Sequence, residues 1–285
     1  MTGYLVRRFI WIIPVILVVT LIVFSVSRVL PGNPVYLILG NQAADQIAID
    51  KLTAKMGLDK PIYVQYTMYL KDLLKGDFGN AWHTGNPVSV DLKARYPATI
   101  ELALTSLFIA ILIGIPLGVF SSVFLNSWLD HTIRFFGFIG LSIPSFWLGL
   151  TLSYLLAFKL QLLPAPIGRI GFSFSPPNPV TGFYMIDSLL AGDLQAFKSS
   201  VSYLILPSIT LALGQIAGIS GIVRSSMIEA LNSDYIRSAH AYGASAFKIY
   251  FKYALKNAMI PTITYIGNGM LFLLGGVVVV EYVFA

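Results

Sequence analysis

The chain has 285 residues, of which 56% are hydrophobic and only 11% charged, and its mean hydropathy is +0.76. Soluble domains usually carry about 25% charged residues, so this composition excludes an ordinary soluble protein and predicts an integral membrane protein. The net charge of +6 does not indicate nucleic-acid binding, because the basic residues are spread over loops and the ends of apolar stretches. The chain has no cysteine, which excludes disulfides and thiolate metal sites.

Five apolar stretches are long enough to cross a membrane, which takes about 20 residues in a helix. They predict spans at about 9–30, 99–125, 133–158, 201–223 and 258–284. The first stretch is longer than the apolar core of a signal peptide, and no small-residue cleavage site follows it. We therefore interpret residues 1–30 as a retained N-terminal span, within an all-α membrane protein.

The positive-inside rule gives the orientation, because Arg7 and Arg8 precede the first span and place the N-terminus in the cytoplasm. An external segment, 31–98, then leads to a core transmembrane domain, 99–285. In that domain we expect 126–132 inside, 159–200 outside and 224–257 inside. The sequence stops at VVVVEYVFA, where Glu281 and Tyr282 indicate a membrane exit. From this abrupt ending we expect a sixth span to be missing at the C-terminus.

Several catalytic signatures are missing from the sequence. It contains no G-x-x-x-x-G-K-[ST] phosphate-binding loop, no H-E-x-x-H and no G-x-S-x-G. Any ATP hydrolysis linked to this chain must therefore belong to another protein. The predicted spans also lack a carboxylate near mid-membrane, which argues against a proton-coupled transporter.

A few uncharged polar residues do fall inside the predicted spans. Ser142 and Ser145 flank Pro144 in the third span, Gln215 lies in the fourth and Asn268 in the fifth. Such groups often hydrogen-bond between helices as packing contacts. Alternatively they line a polar translocation path, since the backbone carbonyl that Pro144 leaves unpaired must be buried in protein or face a cavity. Both interpretations remain open.

The stretch DYIRSAHAYGASAFKIYFKYALKNAMIP is a polar island between two apolar runs. It predicts two short helices, the first capped by Ser233 or Asp234. Gly243 then allows the backbone to turn through positive φ, and Ser245 can cap the second helix. Pro261 marks the entry into the fifth span.

The island is either a plain cytoplasmic loop or a docking surface. Small residues at its turn, Ser238-Ala239 and Gly243-Ala244, cover membrane surface poorly but admit a close-fitting partner. A membrane-surface helix would instead carry bulky apolar residues opposite its lysines. These considerations alone leave the two interpretations evenly balanced.

The spacing within the island resembles the cytoplasmic loop of binding-protein-dependent ABC importer permeases. Their signature is E-A-A, three residues, Gly, nine residues and I-x-L-P, and here Ala239, Gly243 and Leu255 match it. Arg237, Ser238, Tyr253 and Lys256 depart from the signature, and in these stretches the chain looks more like the dipeptide, oligopeptide and nickel subfamily, which tends to read DYIRTARAKG…HALRNALIP. Further stretches resemble that subfamily in the right order: RRFIWIIPVILVVTLIVFSVSRVLPGNP, MGLDKPIYVQY, GDFG, YPATIELAL, SIPSFWLGL, ILPSITLAL and EYVFA.

The resemblance implies a MetI-like type I permease fold in a bacterial or archaeal cytoplasmic membrane. It also implies three kinds of partner besides membrane lipid: a second homologous permease, two cytoplasmic ATPase subunits that hold ATP and Mg, and an external substrate-binding protein. This chain itself would then have no cofactor, no metal and no catalytic residue. The residues expected to contact the ATPase, as a coupling helix, are Asp234, Tyr235, Arg237, Ser238, Ala239, Gly243 and Leu255.

The implied function is ATP-driven import of dipeptides or oligopeptides by alternating access. Nickel chelates, glutathione and opines are alternative substrates in the same subfamily. A secondary transporter or channel that works alone is the alternative mechanism, and co-purification of an ATPase would distinguish the two. Whether the partner permease is identical to this chain stays open.

Overall fold

The computed structural model describes residues 2–29, 34–39, 45–81, 84–165, 167–276 and 278–284. Within these ranges the regular structure is helical, and the extended pairing is limited to one bridge between Asn80 and Pro87. The all-α prediction is therefore confirmed. In chain order the helices are α1 (Thr2–Val29), α2 (Pro34–Leu39), α3 (Gln46–Lys55), α4 (Ile62–Leu74), α5 (Val88–Val123), α6 (Trp128–Ser142), α7 (Ser145–Leu152), α8 (Tyr184–Leu190), α9 (Leu194–Leu231), α10 (Asp234–Ala241), α11 (Leu255–Gly276) and α12 (Val278–Phe284).

The chain folds as two compact units, residues 1–94 and 95–285. In the first unit α1 packs against α4 through aromatic contacts. The ring of Phe24 lies 5.4 Å from that of Tyr66 and 5.9 Å from that of Tyr69, between centroids. The Tyr66 hydroxyl also donates to the backbone oxygen of Leu17 at 3.1 Å. These contacts attach the external segment to the first span within this unit.

Four helices in the described ranges are long and apolar enough to cross a membrane: Val6–Val29, Val88–Val123, Leu194–Leu231 and Lys248–Gly275. All four begin before the spans predicted from the sequence, Val6–Val29 by only three residues. The prediction followed apolar side chains, whereas the backbone hydrogen bonds of a helix continue into polar flanking residues as easily.

The expected single span at 133–158 is broken. Helices α6 and α7 are bent by 104° at a break between Ser142 and Ser145, and counting this pair as one span brings the total to five. The cause is Pro144, which has no N–H and excludes the preceding residue from helical geometry. Ile143 is accordingly extended, at φ −82° and ψ 126°. A π-helical turn, Ser153–Lys159, continues α7.

Helix α9 is the centre of the second unit and packs against α6, α7, α8, α11 and α12. It also meets α5 at close range, because Gly114 and Gly118 present no side chain to it. A Cβ atom on Gly118 would lie only 2.6 Å from the Cβ of Val223, and one on Gly114 would lie 3.0 Å from that of Ile219. This is the close backbone approach that small residues four apart permit between membrane helices.

Candidate functional site

Helix α10 rests on a hydrophobic cluster formed by the ends of the longer helices. Its Ile236 is only 2% exposed and contacts a cluster that includes Val223, Met227 and Ile249. Ala239, one turn further along α10, packs against the same cluster. The short helix is therefore held on one side by apolar burial and presents its other side outward.

The turn after α10 has the predicted geometry. Gly243 adopts φ +73°, which confirms the positive φ expected there, and its N–H donates to the backbone oxygen of His240 at 3.0 Å. The prediction of a side-chain cap is wrong at Ser233, whose hydroxyl donates backwards to the oxygen of Ala230 instead. That bond turns the hydroxyl towards the end of α9, and its oxygen accepts from no N–H in the first turn of α10.

The second half of the island continues into the helix of the last span without a break. Helical structure continues from Lys248–Ala254, which is π-helical, directly into α11. Pro261 lies inside α11, so the helix begins before it, and the entry into the span at Pro261 stays a prediction. Ser245 precedes this helix, and its backbone oxygen accepts from the N–H of Ile249 at 3.0 Å. The second half of the island is thus part of the same helix as the candidate span Lys248–Gly275.

Five residues lie on the outward side of α10 and in its turn, and we call them the coupling surface: Asp234, Tyr235, Arg237, Ser238 and Gly243. Arg237 and Asp234 form an ion pair at 3.0 Å, with side chains that are 77% and 92% exposed. An exposed pair of this kind contributes little stability, so both charges are available to a partner. The hydroxyl of Tyr235 accepts from the side-chain nitrogen of Asn257 at 2.8 Å.

Ala239 and Leu255 differ from the rest of the predicted contact set. Both are partly buried against the same hydrophobic cluster as Ile236. The geometry gives both residues a packing role against this cluster. Their contact with an ATPase stays a prediction, as does that of the coupling surface.

A buried ion pair close to the same cluster is a feature that the sequence analysis missed. Asp130 is fully buried, and its carboxylate accepts from Arg224 Nε at 2.7 Å and from Nη2 at 2.8 Å. Ser121 of α5 donates to the same carboxylate, as does the backbone N–H of Asn126 at 3.1 Å. The sequence did contain an indication of a paired carboxylate, because Asp130 is the only acidic residue between Glu101 and Asp187.

A cavity of about 470 Å³ lies where the break between α6 and α7 meets α9 and α11. It brings together three of the five residues predicted for a translocation path: Ser145, Gln215 and Asn268. Ser142 and Pro144 are exposed beside the break and do not line the cavity, and the Ser142 hydroxyl donates to the oxygen of Phe138 at 2.7 Å. The remaining lining is apolar or uncharged, with Gly140, Leu141, Ile143, Leu148, Thr210, Leu211, Gly214, Tyr265, Gly269, Phe272 and Leu273.

Two glycines make room for polar side chains at this cavity. A Cβ on Gly269 would lie 2.7 Å from Oε1 of Gln215, and one on Gly218 would overlap the hydroxyl of Tyr265. Gln215 is 8% exposed, and its Oε1 is buried with no hydrogen-bond partner among the described residues. In the same described part of the chain, no cluster of three or more His, Asp or Glu side chains could hold a metal ion.

Comparison with known protein families adds to this geometry. Residues 114–285 match the family described as binding-protein-dependent transport system inner membrane component. The chain belongs to this family. Residues 1–103 match the N-terminal component of the same membrane proteins. The family match thus covers α9, α10 and α11, and also the cavity at the α6–α7 break.

Individual relatives align over nearly the whole chain. The chain is 44% identical over 267 residues to the probable D,D-dipeptide transport system permease protein DdpB of Escherichia coli (strain K12), covering 94% of this chain and 78% of the relative. It is 39% identical to the dipeptide transport system permease protein DppB of Alkalihalophilus pseudofirmus, over all of this chain and 85% of the relative. The oligopeptide transport system permease protein AppB of Bacillus subtilis is 36% identical, over all of this chain and 84% of the relative.

Proposed function

We propose that this chain is the transmembrane permease subunit of an ATP-driven importer of dipeptides or related short peptides. The observation that carries the proposal is the coupling surface. It is the exposed polar side of a short helix that Ile236 seats on a buried cluster, and after the turn at Gly243 the chain enters the helix that contains the candidate span Lys248–Gly275. The names of the relatives, which are dipeptide and oligopeptide permeases, support the substrate class.

The chain does not hydrolyse ATP itself under this proposal. It lacks a phosphate-binding loop, so ATP and Mg belong to two separate ATPase subunits. These subunits would dock on the coupling surface, with Arg237 or Asp234 exchanging its exposed partner for one of opposite charge on the ATPase. The docking transmits work only if the coupling surface binds the closed and open ATPase arrangements with different affinity.

The arrangement in the membrane follows from charge and topology. Arg7 and Arg8 support a cytoplasmic N-terminus in a bacterial or archaeal cytoplasmic membrane. With five spans, α10 then also faces the cytoplasm, on the side where the ATPases would act. A second homologous permease would complete the pathway, and an external binding protein would deliver the peptide.

The experiment is purification of the complete gene product from detergent-solubilised membranes, with the bound chains identified by mass spectrometry. We expect an ATPase pair, a second permease and a peptide-binding protein to co-purify. The reconstituted complex should take up radiolabelled dialanine only with ATP on the coupling side. A chain that purifies alone and transports in response to a proton gradient would contradict the proposal and favour a stand-alone secondary transporter.

A further inference from the structure

The cavity at the α6–α7 break contains an unsatisfied polar atom in a largely apolar setting. Oε1 of Gln215 is buried and has no hydrogen-bond partner among the described residues. Buried polar atoms are nearly always paired, and one without a partner destabilises the fold. This one is held in place by the absence of a side chain on Gly269. The local structure therefore keeps an acceptor ready for a donor that the described chain does not supply.

Neighbouring side chains provide further hydrogen-bonding capacity without charge. Ser145 begins α7 on one side of the cavity, and Asn268 lies on α11 opposite. Neither side chain hydrogen-bonds to another described residue. Thr210 differs from them, because its hydroxyl already donates to the oxygen of Leu206 at 2.9 Å. The free groups thus come from three different helices and face one space.

The lining of the cavity is uncharged and largely apolar, which favours a neutral ligand group. No charged residue lines the cavity, so the lining offers no counter-charge that would select a free ion. A peptide group fits better, since it is neutral and offers one N–H donor and one carbonyl acceptor. A carboxamide such as that of Gln215 or Asn268 offers the matching pair. The volume of about 470 Å³ lies within the range of small-molecule sites.

We propose that this cavity is a binding site for the peptide group of a short substrate inside the permease, where Gln215 Oε1 accepts the peptide N–H. The carboxamide of Asn268 and the hydroxyl of Ser145 contact the peptide carbonyl. Leu141, Leu148 and Phe272 accommodate a small apolar side chain beside it. This inference rests on the proposed function, and it adds that the chain recognises the peptide group of the substrate.

The test compares two probes that differ in one atom group, dialanine and its ester analogue alanyl-lactate, which lacks the peptide N–H. Uptake of each is measured at low concentration in proteoliposomes that contain the complete complex, its binding protein and ATP. The wild-type ratio of amide to ester uptake is divided by the same ratio for Gln215→Leu. The binding protein and ATPases are common to both complexes, so their own preferences cancel in this quotient.

We expect Gln215→Leu to reduce the amide preference about tenfold, as the loss of one buried hydrogen bond would. The matched control is Ser208→Ala. Ser208 lies on the same helix and also has a buried, unpartnered oxygen, but it does not line the cavity. It should leave the ratio unchanged. An unaltered ratio in Gln215→Leu, or an equal loss in Ser208→Ala, would overturn the inference.

A second measurement does not depend on how well Gln215→Leu assembles. The chain has no cysteine, so Ser145→Cys introduces one thiol of this subunit at the cavity. Dialanine should slow the labelling of that thiol by a neutral maleimide in the complete complex, and alanyl-lactate should slow it less. Equal labelling rates with both probes would overturn the inference alone. A wild-type complex that takes up neither probe would overturn the proposed function and the inference with it.

Discussion

Arg224 holds the buried carboxylate of Asp130 with two hydrogen bonds, 2.7 Å from Nε to Oδ1 and 2.8 Å from Nη2 to Oδ2. Asp130 lies in the first turn of α6, Arg224 lies on α9, and Ser121 of α5 donates to the same carboxylate. One acidic group thus joins three helices. Val223, the neighbour of Arg224, belongs to the cluster that seats α10. The ion pair therefore fixes the frame on which the coupling surface rests.

Replacing either partner of this pair should destabilise the protein strongly. We expect Asp130→Asn or Arg224→Met to cost about 3–5 kcal/mol, because each leaves a buried charge or donor without its partner. The double variant should recover part of that loss. The measurement is thermal unfolding of the purified chain without its partners, analysed as a double-mutant cycle.

The exposed pair of α10 is the matched control for this cycle. Arg237→Met removes an ion pair of similar length whose side chains are 77% and 92% exposed. Its stability cost should stay within about 1 kcal/mol. If Arg224→Met proved as mild as Arg237→Met, the role given to the buried pair would be wrong.

Gly118 should tolerate no side chain, because a Cβ there would lie 2.6 Å from Val223 Cβ and 2.7 Å from the oxygen of Ser220. We expect Gly118→Ala to push α5 away from α9 and to cost about 1–3 kcal/mol. Gly221→Ala is the control, since nothing lies within 4 Å of a Cβ at that position of α9. Thermal unfolding of both variants checks this, and equal stabilities would contradict the close α5–α9 contact.

The sequence predicted the helical class and the approximate positions of the spans, because long apolar runs have few alternatives in a membrane. It also predicted the turn at Gly243, where the residue type and the flanking pattern agree. It missed the bend at Pro144, although this proline was recognised as disturbing the backbone. A proline inside an apolar run either kinks a helix or breaks it, and only the packing of α7 against α9 and α12 decides between them.

The candidate sites, like the fold, were only partly predictable from the sequence. Ser145, Gln215 and Asn268 are far apart in sequence, and no local pattern says that they share a cavity. Their meeting depends on glycines whose neighbours are known only in three dimensions, such as Gly269 beside Gln215. The spacing of Gly114 and Gly118, four residues apart, is typical of close helix packing. The sequence alone does not show that α9 is the helix that packs there. Long-range contacts of this kind follow from topology and not from residue type.

If the chain couples to an ATPase as proposed, Gly243 is the position where a single substitution should disturb that coupling most. At φ +73° a β-branched residue is strained by about 1–2 kcal/mol, although there is open space for its Cβ. We expect Gly243→Val to turn α10 away from its seat and to abolish transport-coupled ATP hydrolysis, while the complex still assembles. ATPase stimulation by the peptide-loaded binding protein is the measurement.

Gly243→Asn is the control for that experiment, because asparagine tolerates the left-handed region better than other side chains. It should retain most of the stimulated ATP hydrolysis. Wild-type transport by Gly243→Val would show that the backbone geometry at this turn does not matter for coupling. Loss of activity in both variants would instead point to the side-chain volume.

Asp187 should make the stability of the connection before α9 depend on pH. Burial acts to raise the pKa of its carboxyl, but hydrogen bonds from Thr181, Gly182 and Val180 outweigh burial, so the pKa lies below the ordinary 3.8. The carboxylate therefore contributes stability above about pH 4 that is lost as pH falls through its lowered pKa. Asp187→Asn should cost about 1–3 kcal/mol at neutral pH. Its deficit in Tm relative to wild type should shrink as the pH falls below 3.8. Asp59→Asn, at an exposed position, is the control and should leave the Tm at neutral pH unchanged. A deficit for Asp187→Asn that stayed constant with pH would contradict the assignment.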